Sequence, residues 1–172
     1  PPLWKPESPE TRQLYHLVVT ADKIKGILQQ WNNRAHSHQY LEDLPPVVKK
    51  VQRSLRRSLE RQLAEVEKRI RELCRKESSL GQKVDLLSSI PGIGEHSATR
   101  ILAYGRDLFT TRTRKALTAH AGLAPAQKQS GTSIHGKSRI AKQGDRRLRT
   151  ALFMPALVAA YHNPILKTFY QR

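Results

Sequence analysis

From Val48 to Leu80 the apolar residues Val48, Val51, Leu55, Leu59, Leu63, Val66, Ile70, Leu73 and Leu80 recur mostly at steps of three and four, with Arg, Lys and Glu between them. That spacing predicts a helix with one apolar seam, in the manner of a coiled coil. At 1.5 Å per residue, a helix of roughly 34 residues is about 50 Å long. It projects beyond any compact domain that 172 residues build. Three successive four-residue steps from Val51 to Leu63 form a stutter that locally unwinds a left-handed supercoil, and Glu77 interrupts the seam. The expected role of residues 47–80 is self-association as a homodimer or higher oligomer. Packing against an earlier helix is the equal alternative.

An earlier helix is expected. Ser8-Pro9-Glu10 reads as an N-cap, a first-turn proline and a first-turn acid. Leu14, Leu17, Ala21, Ile24, Leu28 and Trp31 then repeat at 3-4-3-4-3, a narrow seam that requires a partner. The polar run from Asn32 to Gln39 is expected to fray, and Leu44-Pro45-Pro46 ends any helix because a proline drives the residue before it out of the helical region. Past Gly81 the grammar changes to short helices between glycine turns. Val84–Ser89 ends one helix, Glu95–Tyr104 begins another with Gly105 as its stop, and Thr113 caps a third that Gly122 closes. Pro125 to Gly144 reads as a long loop with room for a small hairpin. Asp145 caps the last major helix, which Pro155 should bend, and Asn163-Pro164 starts a final turn. The expected fold is all-α: long helices forming a coiled coil or helical hairpin (a linker helix over 1–46, the coil over 47–80), then a small helical domain over 81–172.

Charge divides the chain the same way. Of 31 basic and 14 acidic residues, residues 1–46 hold five of each, 47–80 hold eleven and five, and 81–172 hold fifteen and four. The net +17 far exceeds the magnitude of about 2–8 that keeps a small domain soluble. It points to a polyanion, with nucleic acid favoured through counterion release and double-stranded DNA as the expected partner. A membrane is disfavoured: the apolar stretch Ala151–Tyr161 is far too short to cross a bilayer. Pro1-Pro2-Leu3-Trp4 shows neither an initiator Met nor a signal-peptide pattern, so a piece of a longer protein is expected. The single Cys74 forms no internal disulfide, and a reducing cytoplasmic setting follows as the expectation.

Two stretches could carry chemistry. In Ile90-Pro91-Gly92-Ile93-Gly94 the glycines Gly92 and Gly94 allow a tight turn and close approach of backbone amides to a phosphate, with a helix N-terminus behind them. This is the pattern of a helix-hairpin-helix, which grips DNA without reading bases; a purely structural turn is the alternative. The second stretch runs from Gln129 to Ile140 and on to Arg149. Its hydroxyls at Ser130, Thr132, Ser133 and Ser138 lie among Lys137, Arg139, Lys142, Arg146, Arg147 and Arg149. A serine that attacks a phosphodiester needs its proton removed and the charge on phosphorus neutralised; the cations supply the second need, and His135 is the one base in view. An ordinary phosphate-contacting loop remains the alternative. Asp85, Glu95, Asp107 and Asp145 are too dispersed for a two-metal site, His36 and His38 read as a solvated pair, and no P-loop is present.

Ile90-Pro91-Gly92-Ile93-Gly94, Ala119-His120-Ala121-Gly122-Leu123-Ala124-Pro125, Gln129-Ser130-Gly131, Arg139-Ile140-Ala141-Lys142-Gln143-Gly144-Asp145 and Arg149 with Ala151-Leu152 together resemble the C-terminal transposase domain of the insertion-sequence one-hundred-ten family, also called the one-sixteen and nine-oh-two type. The likeness covers about half the chain. It extends more loosely to Trp4, Arg12, Leu14, Leu17 and Asn33-Arg34, the stretch that follows the family's ribonuclease-H-like domain. The resemblance implies a DNA recombinase with two catalytic halves. One is a DEDD carboxylate domain that binds magnesium, absent from this chain; the other is a serine that forms a covalent link to DNA. It further implies multimers through the coil and guidance by a structured RNA. The family's serine falls on Ser130, with Ser133 and Ser138 as fallbacks, and Lys137, Arg139, Lys142, Arg146 and Arg147 would hold phosphates. Without the carboxylates, this piece alone is expected to be inactive in transposition. A non-catalytic helix-hairpin-helix dimer that binds nucleic acid, and an interaction scaffold on 47–80, are the competing readings.

Overall fold

A computed structural model describes the backbone of residues 7–38, 40, 44–106, 113–130 and 134–171; the side chains at 127–130, 134, 135 and 137 lie outside the description. Among the described residues there are seven helices and one two-stranded sheet, so the fold is all-α with a small hairpin. The helices are α1 (Pro9–His38), α2 (Pro46–Lys76), α3 (Ser78–Ser88), α4 (Glu95–Gly105), α5 (Arg114–His120), α6 (Arg146–His162) and α7 (Pro164–Tyr170); the strands are β1 (Pro125–Ser130) and β2 (Ile134–Ile140). They form two compact units, one over Ser8–Ser78 and one over the described residues from Ser79 onward together with Glu7.

The first unit is a helical hairpin. Ser8 Oγ accepts from Thr11 N at 3.2 Å, as an N-cap should. At Glu10 a backbone hydrogen bond at its own amide, then the Ser8 hydroxyl, hold the carboxyl below the usual range. The buried stripe of α1 is Leu14, Val18, Ala21 and Ile24. Val18 takes the place expected of Leu17, because a straight helix at 3.6 residues per turn rotates slightly past a 3-4 seam. Nor does α1 fray at Asn32. It runs on to His38, supported by Gln29 Nε2 donating to Asn33 Oδ1 at 3.0 Å and by a 2.7 Å hydrogen bond between Gln52 Nε2 and His38 Nδ1. His38 is therefore not merely solvated.

Pro46 opens α2, with Pro45 as its N-cap. α1 and α2 pack on one another, so most of the long seam finds a partner within the chain, while Val51 and Leu55 stay 50% and 41% exposed. Lys25 Nζ reaches Glu67 Oε1 across the pair at 2.8 Å, but both side chains are about one-third exposed, and such pairs contribute about 1 kcal/mol or less. The helix expected to run to residue 80 stops at Lys76. Glu77, the residue that interrupts the seam, takes an extended conformation, and α3 starts directly after it.

In the second unit α4 is buried on most of its circumference, through Ala98, Thr99 and every residue from Ile101 to Gly105. Thr99 satisfies its hydroxyl on Glu95 O at 2.7 Å. Arg106, not a glycine, makes the left-handed step after α4, with φ 31°, and its guanidinium reaches Glu7 at 3.4 Å. α6 packs on α4. Its buried stripe is Leu148, Ala151, Pro155 and Ala159. The opposite side of α6 and α7 exposes Phe153, Met154, Tyr161, Ile165 and Phe169. Pro155 lies inside a helix that continues to His162, and its missing N–H leaves the Ala151 carbonyl without an i+4 donor.

Candidate nucleic-acid interface

The turn between α3 and α4 follows from its four residues. Ile93 N donates to Ile90 O at 3.0 Å, Pro91 fills the second position, and Gly92 takes φ +99° at the third. That residue order and positive φ belong to a type II turn. A side chain on Gly92 would meet Pro155 O at 3.0 Å and Ala159 N at 3.1 Å, so this glycine seats the turn against α6. Gly94 differs: nothing lies within 4 Å of where its Cβ would be, and its carbonyl accepts from Ala98 N at 2.9 Å as the N-cap of α4. Of the two glycines, Gly94 faces open space at a helix N-terminus.

The basic loop is an antiparallel hairpin with a fixed root. Thr113 Oγ1 caps α5 by accepting from Ala116 N at 3.2 Å. Gly122, at φ +67°, ends α5 with Gly122 N on Ala119 O at 2.9 Å and Leu123 N on Thr118 O at 2.8 Å, the paired bonds of a Schellman motif. The chain then enters β1. In the ladder Pro125 pairs Ile140, Ala126 pairs Arg139, Lys128 pairs Gly136, Gln129 pairs His135 and Ser130 pairs Ile134. Between Ala126 and Lys128 the register shifts: Gln127 stands opposite both Lys137 and Ser138, a bulge that twists β2.

Below the strands the two chain ends are tied by backbone bonds: Ala141 N to Ala124 O at 2.8 Å, Lys142 N to Gly122 O at 3.1 Å and Asp145 N to His120 O at 2.8 Å. Gly144 lies so close to Gly122 that its Cβ would overlap Gly122 N, His120 O and Ala119 O. Arg149 Nη1 donates to Ala121 O at 3.1 Å, and Asp145 Oδ1 accepts from Leu148 N at 2.8 Å to cap α6. The clasp thus joins α5, the hairpin and α6.

Of the cations named from sequence, Arg139, Lys142, Arg146 and Arg147 gather at this root with exposed side chains. Lys142 sits at φ 58°, a left-handed position that Lys rarely adopts, held by its bond to Gly122. Arg147 lies over the Tyr104 ring of α4, 6.0 Å from its centroid. Ser130 is the last residue of β1, and Ser138 is exposed within β2. His135 and Lys137 are on β2 with side chains outside the description, and Ser133 lies outside the described residues. Sequence reasoning did not single out the Gly122–Gly144 approach, or Arg149 as a clasp donor. The spacing of the two glycines carries no period, and Arg149 looked like one more cation. Among the described residues no three of His, Cys, Asp and Glu converge as metal ligands, and no helix is long and apolar enough to cross a membrane.

Residues 84–171 match the model of the transposase IS116/IS110/IS902 family. The pilin gene-inverting proteins of Moraxella lacunata and Moraxella bovis are each 32% identical over 173 aligned positions, covering all of this chain and 52% of the relative. An uncharacterized 43.6 kDa protein of insertion element IS110 from Streptomyces coelicolor is 38% identical over 87 positions, 51% of this chain and 21% of that protein. The chain spans about half the length of the relatives it matches from end to end. With its matched region running from α3 to α7, the chain belongs to the IS116/IS110/IS902 transposase family.

Proposed function

We propose that this chain is the helical-hairpin and serine-bearing part of a DNA recombinase that moves an insertion sequence, and that Ser130 is its nucleophile. The observation that carries the reading is the clasped basic hairpin. Its root is fixed by backbone bonds, four exposed cations crowd that root, and Ser130 ends the first strand. In the proposed reaction Ser130 Oγ bonds phosphorus, the bond from phosphorus to one strand oxygen breaks, and the leaving strand departs as a hydroxyl. His135, opposite Gln129 in the ladder, is the candidate acceptor of the serine proton. Arg139, Lys142, Arg146 and Arg147 would offset the charge that grows on the phosphoryl oxygens. Gly94 at the start of α4 would add a backbone contact to a neighbouring phosphate. The name of the Moraxella relatives, which refers to gene inversion, supports a recombination reaction. Self-association and an RNA guide belong to the same reading, as does magnesium on residues outside this chain.

The test is to trap a covalent protein–DNA adduct with the full-length transposase that carries this chain and to map the attached residue. Ser130→Ala should abolish the adduct and excision while leaving duplex binding intact. An adduct that persists in Ser130→Ala refutes the assignment. Normal excision without any adduct favours the non-catalytic reading, in which Ser130 only contacts phosphate.

A further inference from the structure

α2 carries a charge pattern that the hairpin unit does not account for. At 3.6 residues per turn, the seam from Val48 through Leu59, Leu63 and Ile70 to Leu73 occupies an arc of about 80°. These residues are half-buried or buried. Diametrically opposite, on an arc of similar width, stand Lys50, Arg53, Arg57, Arg61, Ala64, Lys68, Arg71 and Arg75, all exposed. Every position of that stripe except Ala64 is a cation. The four acids of α2, Glu60, Glu65, Glu67 and Glu72, fall outside it, and three of them pair elsewhere: Glu60 with Arg56 at 2.8 Å, Glu67 with Lys25 at 2.8 Å and Glu72 with Arg69 at 3.3 Å. Glu72 also borders the stripe, with Lys68 at 4.0 Å.

A face shaped only by water has no reason to separate the signs. Alternating acids and bases one turn apart stabilise a helix, whereas like charges at that spacing weaken it. Arg53 and Arg57, Arg57 and Arg61, and Arg71 and Arg75 are each one turn apart and alike. A surface that carries this penalty in two stretches, Arg53–Arg61 and Arg71–Arg75, fits a partner with a matching row of negative charge. From Lys50 to Arg75 the stripe is about 38 Å long, close to the 34–36 Å of one duplex turn. Phosphates provide such a row at regular intervals.

We propose that this face of α2 is a second nucleic-acid contact, laid along the sugar–phosphate backbone of a DNA duplex and carried by the other compact unit from the basic hairpin. It rests on the recombinase reading only for the class of polyanion. It is blind to base sequence, since its contacts are all to phosphate.

The test uses the whole 172-residue chain and fluorescence anisotropy on matched DNA and RNA duplexes between 50 and 300 mM salt. Arg53→Gln with Arg57→Gln and Arg61→Gln should lower the slope of log K against log salt by about 3 on the duplex that is bound, at roughly 0.9 per lost phosphate contact on DNA. A response on the RNA duplex alone would overturn the assignment to DNA. Arg53→Lys with Arg57→Lys and Arg61→Lys should keep the wild-type slope. The single Arg57→Gln, the mildest perturbation of the helix, should lower it by about 1. The control Lys49→Gln with Arg56→Gln and Arg69→Gln removes the same charge from other faces and should change the slope by less than about 1. Equal losses in the two glutamine triples would mean a bulk charge effect and overturn the proposal. So would an unchanged slope in the stripe triple while Arg139→Gln with Arg146→Gln and Arg147→Gln abolishes binding, an outcome that leaves the hairpin reading standing. Absence of wild-type binding to either duplex removes both.

Discussion

Gly144→Ala should open the clasp. A methyl at 144 falls 2.7 Å from Ala119 O and closer still to Gly122 N and His120 O, where ordinary contact begins near 3.4 Å. All three obstacles are main-chain atoms, so no rotamer change relieves the overlap. Ala119 O accepts from Gly122 N and His120 O accepts from Asp145 N, and moving either carbonyl away lengthens its bond. Two hydrogen bonds at roughly 1 kcal/mol each, with about 1 kcal/mol or more for the packing strain, give about 3 kcal/mol. Native-state hydrogen exchange reads this directly. Protection of the Gly122, Leu123 and Asp145 amides should fall by about 100-fold, at 1.4 kcal/mol per factor of ten. Amides of α1 and α2, in the other compact unit, should keep their wild-type protection. Gly26→Ala is the contrast: it sits exposed within α1 with nothing inside 4 Å of the added Cβ, so the helix should gain about 0.5–1 kcal/mol. Clasp amides within threefold of wild type in Gly144→Ala would refute the close-approach argument.

Two further substitutions probe how α6 is held. Asp145→Ala removes the side-chain acceptor for Leu148 N and should cost about 1 kcal/mol in urea denaturation, whereas Asp145→Asn should recover most of it. Leu148 is fully buried, so Leu148→Ala should destabilise the second unit by about 2–5 kcal/mol, measured by the same titration with α6 exchange as a local check.

What the sequence disclosed depends on the range of the interaction involved. Local signals were readable: Ser8, Thr113, Asp145 and Asn163 each cap the helix expected of them, because a cap joins residues two or three apart. Glu77 was visible as a break in the seam, although the helix end it causes comes four residues before the expected one. The partner of α2 was not decidable, since an apolar stripe suits a helix of the same chain as well as one of another. The hairpin was legible as a glycine-rich basic loop and no further, because its register depends on a bulge at Lys137–Ser138 and on bonds across its root. At the site, the cations were found by their clustering in one stretch of chain and by the family resemblance. The functions of Gly92 against α6 and of Gly144 against Gly122 come from contacts between segments distant in sequence, which no spacing rule encodes.

Because the amides of Ala141, Lys142 and Asp145 donate to the main-chain carbonyls of Ala124, Gly122 and His120, the junction of α5 with α6 is indifferent to the side chains strung between Pro125 and Ile140. The side chains from Pro125 to Ile140, Ser130 among them, are thus released from holding together the helices beneath them.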